Sequence, residues 1–150
     1  MRTLTFIAFM LTCGTNLLAG ERSWFIHFTN KVCEFTVTDV MVAKTPVWAE
    51  DAEHPPLSSR RALRAARTAL AAVVSDSRDW KLEAVAMEPW GDHGHWIYTV
   101  TFRHLTTSLP DGTMHASRLV RVGVKPSTIS IPVLLSGVAV EPKITPLKVP

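Results

Sequence analysis

Asp92-His93-Gly94-His95 puts two imidazoles and a carboxylate within four residues. These are donor types that hold Zn²⁺ or Cu²⁺. If His95 opens a strand, His93 and His95 point to one face, which favours joint ligation. A protein metal centre takes three or four ligands, and His27, His54, His104 and His115 show no spacing that supplies the rest. The expectation is a polar hairpin loop, with Asp92, His93 and His95 the metal candidates and no metal or cofactor required.

Nucleophilic chemistry finds no support. No serine lies in a Gly-x-Ser-x-Gly setting. Cys33, in Val32-Cys33-Glu34-Phe35, has no neighbour that would activate it and reads as a buried structural thiol. Asp76, Asp79, Glu83 and Glu88 read as surface charges. No catalytic residue is assigned. Two features point to binding instead. Arg60, Arg64 and Arg67 share one face of an expected helix, either a docking surface for an anionic partner or simply the solvated side. The chain also holds five tryptophans. Trp80 and Trp96 fit core strand positions, whereas Trp48 and Trp90 fall in loops, where they either plug the sheet ends or form a ligand surface. The expected ligand or partner surface is thus Trp48, Trp90, Arg60, Arg64 and Arg67.

The first 19 residues concern address rather than activity. Arg2 supplies a positive start, Leu4 to Leu11 a short apolar run, and Leu17-Leu18-Ala19-Gly20 small residues at a cleavage point. That is the layout of a secretory signal peptide, and the run is too short for a spanning helix. Residues 1–19 are expected to be removed, leaving a secreted or periplasmic chain that begins at Gly20 or Glu21. Lipidation at Cys13 and an uncleaved anchor are the alternatives, although Thr12 before Cys13 fits a lipidation signal poorly. Without Arg2 the chain carries 15 Lys+Arg against 13 Asp+Glu, a net charge of +2. That is too small to imply nucleic acid. Cys33 then stands alone, which excludes an intrachain disulfide. A chain of about 130 residues argues for one domain, here 20–141, followed by a Pro-rich mobile tail at 142–150 (Pro142, Pro146, Pro150).

The scaffold follows from periodicity. Trp24 to Phe28 is apolar and aromatic, and Val32 to Val42 reads as a strand whose parity changes near Thr38-Asp39, suggesting a bulge. Prolines 46, 55 and 56 mark a loop. Ser58 or Ser59 caps a helix from Arg60 to about Ser75, with Leu63, Ala66, Leu70, Val73 and Val74 as its buried stripe. Strands follow at Trp80 to Glu88, with ambiguous parity, and at His95 to Leu105, where Trp96, Tyr98, Val100 and Phe102 alternate. Pro110-Asp111-Gly112 marks a turn, and further strands are expected at Ser117 to Val124 and Thr128 to Val140.

One strand, one helix and three or four antiparallel strands imply an α+β domain: one long helix packed on a curved sheet of four to five strands. Over residues 32–140 this element order resembles the cystatin-like superfold and, in outline, PepSY-type domains. Trp80-Lys81-Leu82 and Trp96-Ile97-Tyr98-Thr99-Val100-Thr101-Phe102 look like segments of small exported bacterial proteins of unassigned role. Cystatin inhibitors carry a Gln-x-Val-x-Gly hairpin that this chain lacks; Pro89-Trp90 is similar to the Pro-Trp pair of their second hairpin but falls in an earlier loop. The expected function is an exported, non-enzymatic domain binding a protein or small ligand. The alternatives are a small pocket enzyme of the NTF2-like hydrolase or isomerase kind, or a protease-inhibitor or regulatory module.

Overall fold

A computed structural model describes residues 20–49, 51–91, 94–105 and 127–147. The leader, Cys13, Asp92, His93, His115, the Pro110-Asp111-Gly112 turn and the strand expected at 117–124 lie outside the described residues.

The chain starts as a hairpin. Strand β1 (Glu21–His27) pairs antiparallel with β2 (Lys31–Thr38), in register from Glu21↔Thr38 to His27↔Val32. The Phe28 N–H donates to the Lys31 carbonyl at 2.8 Å and closes the turn. Along β2, Cys33, Phe35 and Val37 are buried and alternate with half-buried residues, the period-2 pattern of a strand with one covered face. The parity change beyond Thr38 is not a bulge. The Thr38 side chain accepts the Met41 N–H and starts a helical turn, α1 (Asp39–Val42), that buries Val42 and exposes Val40.

Helix α2 (Ser59–Val73) is capped as expected, with the Ser58 side chain accepting the Arg61 N–H. Its buried line is Ala62, Ala66, Leu70 and Val73, while Leu63 is only half-buried. Two alanines in that line let the helix axis approach its neighbours, and α2 lies against β4 and β5. A 3₁₀ turn (Ser77–Asp79) leads into β3 (Trp80–Trp90), β4 (His95–His104) and β5 (Thr128–Leu134), joined as an antiparallel sheet in the order β3-β4-β5. The ambiguous parity of β3 has a local cause, because the register shifts between Leu82 and Ala84 and leaves Glu83 extra. Central β4 is buried on both faces from Ile97 to Val100.

β5 is shorter than the expected run to Val140. A turn carrying Gly137 at φ 88° folds the chain back, and the Val140 N–H donates to the Pro132 carbonyl. The segment read as a mobile tail then forms β6 (Lys143–Pro146), antiparallel to β2 from Lys31↔Pro146 to Glu34↔Lys143. Its prolines do not prevent this, since β6 is an edge strand and Pro146 ends it.

The expected fold class is therefore corrected. Among the described residues the protein is mostly β, with two three-stranded antiparallel sheets, β1-β2-β6 and β3-β4-β5, one α-helix of 15 residues and one of four. Among the described residues no long helix crosses a single curved sheet of four to five strands, because β2 takes its outer partner from the tail and not from the β3–β5 sheet. Both sheets and α2 contribute to one core that includes Phe35, Leu70, Trp80, Val100, Phe102 and Ile131. Among the described residues no helix is long and apolar enough to cross a membrane.

Candidate functional site

The β3–β4 hairpin end and the loop after α1 build a cleft. Val47, Trp48 and Ala49 form one wall; Pro89, Gly91, Gly94, His95 and Trp96 form the other, around about 430 Å³. The loop is pinned by the Trp48 N–H, which donates to the Gly94 carbonyl at 3.1 Å, and by the Trp48 indole Nε1, which donates to the Ala52 carbonyl at 3.1 Å. Gly94 sits at φ 68°, and a Cβ there would lie 3.1 Å from the Val47 side chain, so backbone conformation and close approach both favour glycine. The Trp48 and Trp96 rings meet edge to face, centroids 5.3 Å apart, an arrangement that fixes both rings. His95 Nδ1 is buried and has no hydrogen-bond partner among the described residues. Thr99 Oγ1, four residues further along β4, is in the same position. Buried polar atoms are nearly always satisfied, so such an atom in a cleft wall is an observation to explain.

The structure separates the residues singled out from sequence. Trp48 lines the cleft and is half-buried. Trp90 is not a loop residue: it ends β3, is buried, and donates its indole N–H to Asp39 Oδ1 at 2.7 Å, while the Arg22 guanidinium stacks 4.8 Å from its ring. Trp96, expected in the core, is half-buried in the cleft wall. Arg60 and Arg64 are exposed on α2. Arg67 is engaged; its guanidinium donates to the Trp80 carbonyl at 2.9 Å and stacks 4.9 Å from the Phe102 ring. The arginines therefore do not form one free face. Of the metal candidates, His95 alone falls among the described residues, as a cleft residue.

A second polar group was not legible from spacing. Asp76, Asp79 and His104 bring their ligand atoms within 4.8 Å of one another. His104 Nε2 lies 3.2 Å from Asp76 Oδ2, and the Trp80 ring packs edge-on against the imidazole at 5.0 Å. Asp79 is exposed. This arrangement joins the end of α2 to the end of β4 through an imidazole–carboxylate contact. Asp76 and His104 are 28 residues apart in sequence, which is why no local pattern reveals the group.

Asp39 is the third. Its carboxyl sits below the usual carboxylate range, chiefly because Trp90 donates to it and also because the Gly20 N–H does, against a smaller opposing effect of burial. Cys33 is buried, which pushes its thiol up, with the Lys31 charge acting weakly the other way. Burial likewise raises Tyr98, whose hydroxyl donates to the Leu57 carbonyl at 2.8 Å. A larger groove of about 510 Å³ runs between α2 and the tail, but beyond Glu141 it is lined by alanines, Thr68, Pro142 and Ile144; it has shape and little chemistry.

No protein family, no curated protein and no solved structure matches this chain.

Proposed function

We propose that this protein is an exported binding domain whose ligand enters the Trp48–Trp96 cleft. The observation that carries the reading is the buried His95 Nδ1, without a hydrogen-bond partner among the described residues, in the wall it shares with Trp96 and opposite Trp48. Aromatic walls bind flat apolar faces, and a single placed polar atom orients the ligand, which is the usual make-up of a small-molecule site. The ligand class is a compact ring with one apolar face and one hydrogen-bonding group at its rim. Export follows from the leader-like residues 1–19.

The test is a fragment panel of monocyclic compounds, each with one donor or acceptor, screened against ¹⁵N-labelled protein. Saturable shifts of the His95 imidazole and of the Trp48 and Trp96 indole signals are expected. Trp48→Ala should weaken the best fragment at least about tenfold, the loss of one aromatic contact of roughly 1.4 kcal/mol. A panel with no saturable shift at these three residues would refute the binding reading.

A further inference from the structure

We propose that the Ala19–Gly20 bond is the processing site and that the Asp39 carboxylate is built to receive the α-ammonium its hydrolysis creates. This rests on the export reading above and extends it from the leader to the folded domain. Three contacts converge on one residue pair. The Gly20 nitrogen donates to Asp39 Oδ2. The Asp39 N–H donates back to the Gly20 carbonyl at 3.0 Å. The Trp90 indole holds the other carboxylate oxygen, Oδ1, at 2.7 Å. A Cβ on residue 20 would lie 2.8 Å from Asp39 Oδ1, so a side chain there would require the carboxylate to shift from its place beside Trp90. Cleavage one bond later would start the chain at Glu21, which pairs with Thr38 in the β1–β2 ladder, and would discard the nitrogen that Asp39 engages.

The peptidase adds water across the Ala19–Gly20 bond. Ala19 leaves with a carboxylate, and the Gly20 nitrogen becomes an amine that is protonated below its usual pKa of about 7.7–8.0. In the precursor that nitrogen is a neutral amide with one hydrogen to donate. After cleavage it carries a full charge beside a carboxylate already ordered by Trp90. Asp39 raises the folded-state pKa of the ammonium. The added stability is therefore complete below the unfolded-state value and is lost as pH rises through the folded-state value. Charged or titratable groups on the adjoining elements include Glu21, Arg22 and His27 on β1, Lys31, Cys33 and Glu34 on β2, Lys44 after α1, Glu88 on β3 and His95 on β4; Arg22 pairs with Glu88 at 3.6 Å.

The test uses the processed chain that the export reading gives, in two forms, with a free Gly20 amine and with an acetylated one. Every other charge is common to both, and the difference isolates the ammonium. At pH 6 the free-amine chain should melt about 1–4 °C higher, as an exposed ion pair in a domain of this size implies. The gap should close by pH 10. In the Asp39→Asn pair, which keeps an oxygen for Trp90, there should be no gap at pH 6. Equal melting temperatures at pH 6 in the native sequence, or a gap that survives Asp39→Asn, would overturn the receptor role. Sequencing of protein from the cell envelope or medium should read Gly-Glu-Arg. A different start would overturn the processing site, and a chain retained in the cell with residues 1–19 intact would overturn the export reading, which the melting comparison does not touch.

Discussion

Arg67 and Arg64 sit one turn apart on α2 and differ in what they touch, so replacing each by alanine separates a contact from a surface charge. The Arg67 guanidinium donates to the Trp80 carbonyl at 2.9 Å and stacks over Phe102. A hydrogen bond from a charged donor contributes roughly 1.5–3 kcal/mol, toward the low end when half-exposed. The stacking adds about 0.5–1 kcal/mol. Arg67→Ala should therefore cost about 2 kcal/mol, with a further contribution from apolar stem contacts. Arg64→Ala should change stability by less than about 0.5 kcal/mol. Helix propensity is nearly the same for arginine and alanine, so it cancels between the two variants. Urea titrations with matched slopes give both values. Arg67→Lys, which keeps the charge but not the planar fork, should fall between them. Losses at the two positions within about 0.3 kcal/mol of each other would refute the assignment of Arg67 as a tie between α2 and the β3–β4 strands.

Two further outcomes follow from burial. Leu70 is fully buried on α2, and Leu70→Ala should cost about 2–5 kcal/mol by lost transfer energy and a residual cavity, read from the same titrations; a loss below about 1 kcal/mol would mean the helix face is wrong. The Cys33 thiol, fully buried and with its pKa raised, should stay unlabelled by a thiol reagent at pH 8 while the protein is folded and react stoichiometrically in denaturant. Rapid labelling of native protein would contradict the β1–β2 packing.

Helix α2 was legible because its signals are local: a Ser58 cap, an apolar line at helical spacing and no proline inside. β4 was legible because Trp96, Tyr98, Val100 and Phe102 fall on alternate positions of a run with no proline or glycine. The sheet partners were not. Nothing local in Lys143 to Pro146 tells it to pair with β2, and three prolines in the last nine residues argue for an extended tail. The helical turn at Asp39–Val42 was hidden because its valines at 40 and 42 fit a strand as well, and the deciding contact is a single Thr38 cap. At the cleft, Trp48 stood out by residue type alone, and His95 through its neighbouring histidine. The roles of Asp39 and of the Asp76–His104 pair depend on strands that meet only after folding, so no spacing rule reaches them. The same holds for Arg67, which shares a helical face with Arg60 and Arg64 but overlooks a strand.

The pairing of β2 with β6 also sets the order in which the molecule can assemble. Cys33 and Ile144 are register partners although 111 residues separate them. The loop they close spans α2 and the whole second sheet. The helix and the β3–β4 hairpin can form from near neighbours, but the first strands synthesised keep an open edge until residues 143–146 arrive. Such long-range closure slows folding and leaves a strand edge open to unwanted pairing in the meantime. The first sheet begun is the last sheet finished.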